Sequence, residues 1–413
     1  MSRIETLIEE LCPEGVPFVE ISRLFEMRNG YTPSRSDESL WADGTIPWFR
    51  MEDLRANGGV LDESQQHIPV SAVKGGRLFS ANSILIATSA TIGEHALITV
   101  PHLSNQRFTS LAVVPEYSKR LNMKFAYYYA FILDEWCRNN TTTSSFASVD
   151  MAGFRRFRFP VPPLEVQQEI VRILDTFTEL EAELEAELEA RERQYQHYRN
   201  SFLTFPNEVP TASLGDLGII FGGLTGKTKL DFEGSGNADF VTYMDIFGRS
   251  SITEGSGRVT VSPGERQTRV RRGDILFTAS SETADEVGMS SVVTREHDQA
   301  LYLNSFCFGF RPHDSSVWID EFATHLFRSE GVRRQIVRTA SGVTRFNISK
   351  DRFRRIVVPV PPHHDQRRLS AFLDKLDALV NDLSVGLPAE LAARRQQYEH
   401  YRDRLLTFEE AMS

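Results

Sequence analysis

Apolar positions along this chain follow two periods, and each period appears twice. Over residues 15–163 and again over 206–362, short apolar runs are bounded by Gly, Pro, Asn and Ser, which predicts strands and turns. After each stretch the spacing changes to steps of three and four. One copy reads Ile170, Ile173, Phe177, Leu180, Leu184, Leu188; the other reads Leu369, Phe372, Leu376, Leu379, Leu383, Leu387, Leu391. Such steps place one narrow apolar face along a long helix, the seam on which a second helix packs. Each series slips by a four-residue step midway, a stutter that locally unwinds a supercoil.

The two copies form an internal repeat. Each helix opens at Pro-Val-Pro-Pro (Pro160 to Pro163, Pro359 to Pro362), runs through Gln167 or Gln366, and closes on Tyr-x-His-Tyr-Arg and Leu-Thr-Phe, at Tyr195 to Phe205 and Tyr398 to Phe408. The prolines lie 199 residues apart and the tyrosines 203, so copy two is longer by four residues, about one helical turn. Gly386 and Pro388 fall in that insertion, and a mid-helix proline costs about 3 kcal/mol, which predicts a kink or break there. The expected fold class is α+β: two α/β globules separated by a long antiparallel two-helix coiled coil, with an internal pseudo-two-fold repeat. The expected boundaries are a first globule over 1–159, a central helix over 160–205, a second globule over 206–358 and a distal helix over 359–413.

The globules share landmarks in the same order. A glycine turn, Asn29 to Pro33 or Gly222 to Gly226, offers positive φ and close approach of the backbone to a partner. An aromatic-rich strand then runs into an acid, Asp53 or Asp245, and a buried strand ends in small hydroxyl residues, at Asn82 to Ala90 and Gly273 to Ser281. Before each Pro-Pro comes a polar tract and a basic segment expected as a strand, Phe154 to Phe159 and Phe353 to Val358.

Composition is that of an ordinary globular protein, with 41% hydrophobic and 25% charged residues over 413 positions, long enough for more than one core. The formal charge of −10 argues against nucleic acid until its location is considered. Residues 164–190 hold nine acidic side chains and one basic, which leaves the remainder at −10 + 8 = −2 and free to form basic patches. No apolar run reaches the ~20 residues of a membrane span, and the polar start is unlike a signal peptide, so a cytoplasmic, non-membrane protein is expected. Cys12, Cys137 and Cys307 lack disulfide or zinc spacing.

Catalytic patterns are missing. Gly222 to Thr228 falls short of a nucleotide-binding P-loop, since Phe221 stands where a glycine is required. No zinc-protease, nucleophile-elbow or paired-cysteine motif occurs, and the histidines show no ligand spacing, so no catalytic or metal centre is expected. Basic, hydroxyl and aromatic residues instead recur at matching places. In the first half these are Tyr31, Arg50, Lys74, Arg77, Ser89 and Arg107; in the second, Lys227, Tyr243, Arg271, Ser280, Ser281, Arg345 and Asn347. Such groups contact phosphates, and a bidentate Arg or Asn reads a guanine or adenine edge.

With these features in view, the chain resembles the specificity subunits of type I restriction-modification systems. The resemblance rests on the Pro-Val-Pro-Pro helix start and its glutamine, their repetition after a second globule, the Tyr-x-His-Tyr-Arg helix ends, and Ser341-Gly to Asn347-Ile-Ser. It implies that each globule is a target-recognition domain for half of a split double-stranded DNA sequence. The helices would set the gap and dock two modification subunits, with ATP-driven restriction subunits as further partners. Methyl donor and ATP would sit on those partners, leaving a prokaryotic, non-catalytic chain without a cofactor of its own. The residues alone leave two other readings open, a coiled-coil adaptor and a stand-alone DNA-binding regulator.

Overall fold

The computed structural model describes residues 3–142, 147–206, 208–232, 236–381 and 386–411. It divides into two compact units, one formed by Met1–Glu183 with Ala392–Ser413, the other by Leu184–Leu391. The central helix Leu164–Phe202 is continuous over 39 residues and passes from the first unit into the second.

In the first unit a five-stranded sheet runs in the order Phe25–Asn29, Phe108–Val113, Ser83–Ala87, His95–Ile98, Val60–Leu61. A three-stranded sheet, His67–Ile68, Ile46–Phe49, Leu103–Ser104, lies beside it. The strand Ser83–Ala87 is buried throughout, and its period-two alternation feeds two cores. Ile84 and Ile86 join the cluster containing Phe125, Phe154 and Ile170, whereas Leu85 and Ala87 join the one containing Trp48, Phe49 and Phe108. Both faces are covered, which is why this segment reads as a continuous apolar run.

The second unit repeats the plan. Its five-stranded sheet is Gly218–Gly222, Cys307–Pro312, Ile275–Thr278, Ser290–Val293, Ser251–Ile252, and its three-stranded sheet is Gly257–Val259, Ala238–Val241, Leu301–Leu303. Ile275 and Phe277 face one core and Leu276 the other. The α+β class and the internal repeat expected from the sequence are therefore present.

The motif glutamines explain how helix and globule are joined. Gln167 is fully buried; its Oε1 accepts from the Asn122 N–H at 2.8 Å, and its Nε2 donates to the carbonyls of Arg120 (2.8 Å) and Pro162 (2.6 Å). Gln366 repeats this in the second unit, with Ile319 N–H (2.9 Å), Val317 O (3.0 Å) and Pro361 O (2.8 Å). Each amide ties the Pro-Pro corner to the loop that starts the globule's own helix.

Two expectations change, for the basic segments and the helix seam, and two are borne out in detail. The basic segments are not strands throughout: Phe154 to Arg156 end a helix begun by an Asp150 cap, and Phe353 ends one begun by a Ser349 cap, so pairing starts only at Arg158 and Val357. The break expected at Gly386 and Pro388 is present: the distal segment is two helices, His363–Asn381 and Leu387–Leu405, with Pro388 in the first turn of the second, where proline is tolerated. The glycine turns supply both close approach, at Gly30 and Gly223, where a Cβ would collide with the carbonyls of Asn105 and Asn304, and positive φ, at Gly226 with φ +66. The helix seam is shallower than its spacing suggests. Val166, Ile170, Leu174 and Leu373 are at 0% exposure against the globules, whereas Phe372 keeps 41%, Leu379 37% and Leu180 39%.

Helix-to-helix contact is present within each unit. Phe177 stacks on Tyr401 at 5.5 Å and Glu181 pairs with Arg395 at 2.6 Å in the first; Phe372 meets Tyr198 and Phe202 edge-on at 5.8 and 5.3 Å in the second. Ile173, Leu369 and Leu376 are partly buried against the cores and Leu184 is half-buried, while Leu383 lies outside the described residues. No helix among the described residues is long and apolar enough to cross a membrane.

Candidate nucleic-acid interface

In the second unit, the strand Ala238–Val241 leads into the helix Tyr243–Gly248 through a capping box. Thr242 Oγ1 accepts from the Asp245 N–H at 3.1 Å, and Asp245 Oδ2 accepts from the Thr242 N–H at 2.8 Å. Burial pushes the Asp245 carboxyl up, yet hydrogen bonds from Ser256 and Thr242 hold it below the ordinary carboxylate range. The cap aims Tyr243 at the end of the next strand, where its hydroxyl donates to the Ser280 carbonyl at 3.1 Å.

Ser280 and Ser281 pair with Asn347 and Phe346 of a hairpin, Ala340–Ser341 with Phe346–Ile348. Its turn needs Gly342, which sits at φ +146 where a Cβ would strike the Arg345 carbonyl. Arg345 Nε donates to Ser280 Oγ at 3.0 Å, its guanidinium lies 6.0 Å from the centre of the Phe306 ring, and Asn347 Nδ2 donates to the Arg345 carbonyl at 3.2 Å. Tyr243, Ser280, Ser281, Phe306 and Arg345 line a cleft of about 420 Å³ together with Met244, Phe247, Glu282 and Glu286. Met244 and Phe306 are 67% and 60% exposed, so apolar surface faces solvent beside a guanidinium.

Tyr243, Ser280, Ser281, Arg345 and Asn347 are thus brought together. Arg271 is not: its N–H is held by Asp274 at 2.8 Å, at the opposite end of the strand from Ser280. Lys227 leaves the set altogether. Its side chain is 6% exposed, and its ammonium is bound to Glu265 at 2.6 Å and to the Thr260 carbonyl at 2.7 Å. Two further arginines of this unit also serve the fold: Arg272 pairs with Asp320, and Arg333 donates to the carbonyls of Asp285 and Val287.

The first unit carries the same scaffold with other side chains. Arg50 caps the helix Met51–Asn57, where its N–H donates to Asp53 Oδ2 at 2.7 Å. Ser89 bridges to Ser148, the position matching Asn347, and Thr141–Thr142 pairs with Ser148–Val149 as Ala340–Ser341 does with Asn347–Ile348. Tyr31 accepts from the Lys74 N–H at 2.8 Å and donates to the Ala72 carbonyl at 2.9 Å, with the Lys74 ammonium 4.9 Å from its ring centre. Arg77 is paired with Glu26 at 2.6 Å, and Arg107 is exposed beside Asn105. Arg50 lines a second cleft, about 430 Å³, with Arg35, Gln66 and the edge-to-face pair Trp41 and Trp48. Its Nε is buried without a hydrogen-bond partner among the described residues.

Met244, Phe306, Glu282, Trp41 and Trp48 were not anticipated from sequence. The Pro-Pro offset places Ser148 opposite Asn347; nothing in the local pattern marks Phe306 as exposed. No cluster able to hold a metal occurs among the described residues.

Residues 13–190 and 206–393 each match the family described as the type I restriction modification DNA specificity domain. The chain is 52% identical over 231 residues to the type I restriction enzyme EcoprrI specificity subunit of Escherichia coli, covering 53% of this chain and 57% of that protein. It is 30% identical over 304 residues to the EcoR124I/EcoR124II specificity subunit of the same organism, covering 69% and 71%. Among solved structures, a chain from work on complex assembly and conformational transition of the type I R-M system aligns with TM-score 0.67 at 15% identity, over 95% of this chain and 97% of that one. The HsdS subunit from Thermoanaerobacter tengcongensis aligns with TM-score 0.53 at 16% identity, over 97% and 98%. With the family matching both halves and the fold repeating in both units, this chain belongs to the DNA specificity subunits of type I restriction-modification systems.

Proposed function

We propose that each unit reads one half of a bipartite double-stranded DNA target and that the long helices set the gap between the halves. The four segments 1–159, 160–205, 206–358 and 359–413 then divide the labour as reader, spacer, reader, spacer. The observation that carries this reading is the duplicated scaffold. A capped helix and a hydroxyl-ended strand stand in the same order in both units, yet Phe346 and Asn347 of one are replaced by Ala147 and Ser148 in the other. A shared frame with different side chains suits two readers of different sequences.

The chain contributes recognition rather than chemistry. Two modification subunits dock on the helices and supply the methyl donor and the adenine methylation, and ATP-driven restriction subunits join that complex in the prokaryotic cytoplasm. Exposed aromatic surface at Phe372, Phe202 and Tyr401, between 38% and 41%, supports a docking role for the helices.

The test is co-expression with the modification subunit and genome-wide mapping of methylated adenines. The expected result is a motif of two short half-sites around an unspecified gap, and replacing residues 206–358 by those of another specificity subunit changes one half only. A continuous motif, or a change in both halves, contradicts the reading.

A further inference from the structure

We infer that Arg345 reads a guanine in the half-site of the second unit, with Glu282 placed to accept from the amino group of the paired cytosine; this rests on the DNA-reading function proposed above. Three features of the cleft lead there.

The first is the anchoring of the guanidinium. Its Nε is committed to Ser280 Oγ at 3.0 Å, and Ser280 is in turn held through its carbonyl by the Tyr243 hydroxyl at 3.1 Å. Phe306 supports the guanidinium at 6.0 Å. The terminal amino groups have no hydrogen-bond partner among the described residues and form the two-pronged end that matches guanine O6 and N7.

The second is the loss of the competing reader. Asn347, which could otherwise grip adenine, donates its amide to the Arg345 carbonyl at 3.2 Å and holds the turn. The amide positions the arginine rather than reading a base itself.

The third is the charge of the walls. A phosphate would meet Glu282 and Glu286 in the same cleft, where two carboxylates oppose an anion. Glu286 already accepts from Thr283 Oγ1 at 2.6 Å, while exposed Glu282 has no hydrogen bond or ion pair among the described residues. A carboxylate beside an arginine fits a base pair that offers acceptors on one side and an amino donor on the other, which is guanine with cytosine. Met244 and Phe306 exclude water around that contact.

The experiment maps methylated adenines in cells carrying the full complex with the wild-type chain, R345A, R345K or E282Q, after exchange of residues 206–358 has assigned a half-site to the second unit. Arg345 is exposed, and a melting curve for each variant checks that it folds. The expected result is one G·C position in that half-site at which preference falls roughly tenfold or more in both R345A and R345K, since lysine keeps the charge but not the fork. E282Q weakens the same position, and the other half-site is unchanged. Unchanged base preferences in R345A overturn the inference. So does an even loss across all targets with a shallower salt dependence, the mark of a phosphate contact. A wild-type complex whose half-sites do not follow the units contradicts the functional reading itself, not the guanine assignment.

Discussion

At the residue scale, the distinction that matters is between cations already bound and cations that are presented. Lys227 and Arg345 look alike in sequence, each a basic residue in a glycine-containing turn. Lys227 finds Glu265, 38 positions away, and is buried; Arg345 finds a neutral hydroxyl and stays exposed. No local pattern distinguishes them, because the deciding partner is remote in sequence. The Lys227 pair has a pH signature. Hydrogen bonds from Lys227, then from Gln267 and the Ser262 N–H, depress the Glu265 carboxyl to about 2. A carboxylate whose folded value is depressed contributes stability above its unfolded value near ~4.3, and that contribution is lost as pH falls from there through about 2. Urea unfolding at several pH values should therefore show K227M losing less stability than wild type between pH ~5 and ~2. Parallel acid limbs would mean the pair contributes nothing.

At the element scale, much of the fold was legible. The duplicated Pro-Pro start, the three-four spacing and the Gly386 to Pro388 interruption all correspond to helix ends or continuous helix. Two things were not. The capped single turns before Arg158 and Val357 were hidden because Asp150 and Ser349 act through a side-chain bond that β-like alternation masks. The deep face of each long helix was also hidden, because Leu174 and Leu373 lie one step off the coiled-coil series and serve the globule. L373A should cost about 2–5 kcal/mol in unfolding free energy, whereas F372A, at an exposed site, should cost far less and weaken docking of the modification subunit instead. Q167L and Q366L leave buried backbone groups unpaired, at about 1–3 kcal/mol each, while E165A on the solvent side should be neutral. Equal melting temperatures for Q167L and E165A would show that the glutamine clamp adds nothing to stability.

At the scale of the whole molecule, the repeat puts one copy of the scaffold in each unit and a single unbroken helix through both. The candidate residues were legible as a set only where the two halves could be compared. Their grouping around Ser280 required the strand pairing of a hairpin more than 60 residues away, Arg345 to Ser280 being 65 positions apart. The Glu-Leu-Glu-Ala units from Glu179 through Ala190 suggest how a gap is set. Each adds about 6 Å of helix and rotates the downstream residues by a near-whole turn, so the helix face is nearly kept while the length changes. Deleting Ala182 to Glu185 and mapping methylated adenines is the decisive measurement for two readers held apart by a helical spacer. The expected motif keeps the same two half-sites around a shorter unspecified gap; altered half-sites around an unchanged gap would contradict the division into readers and spacer.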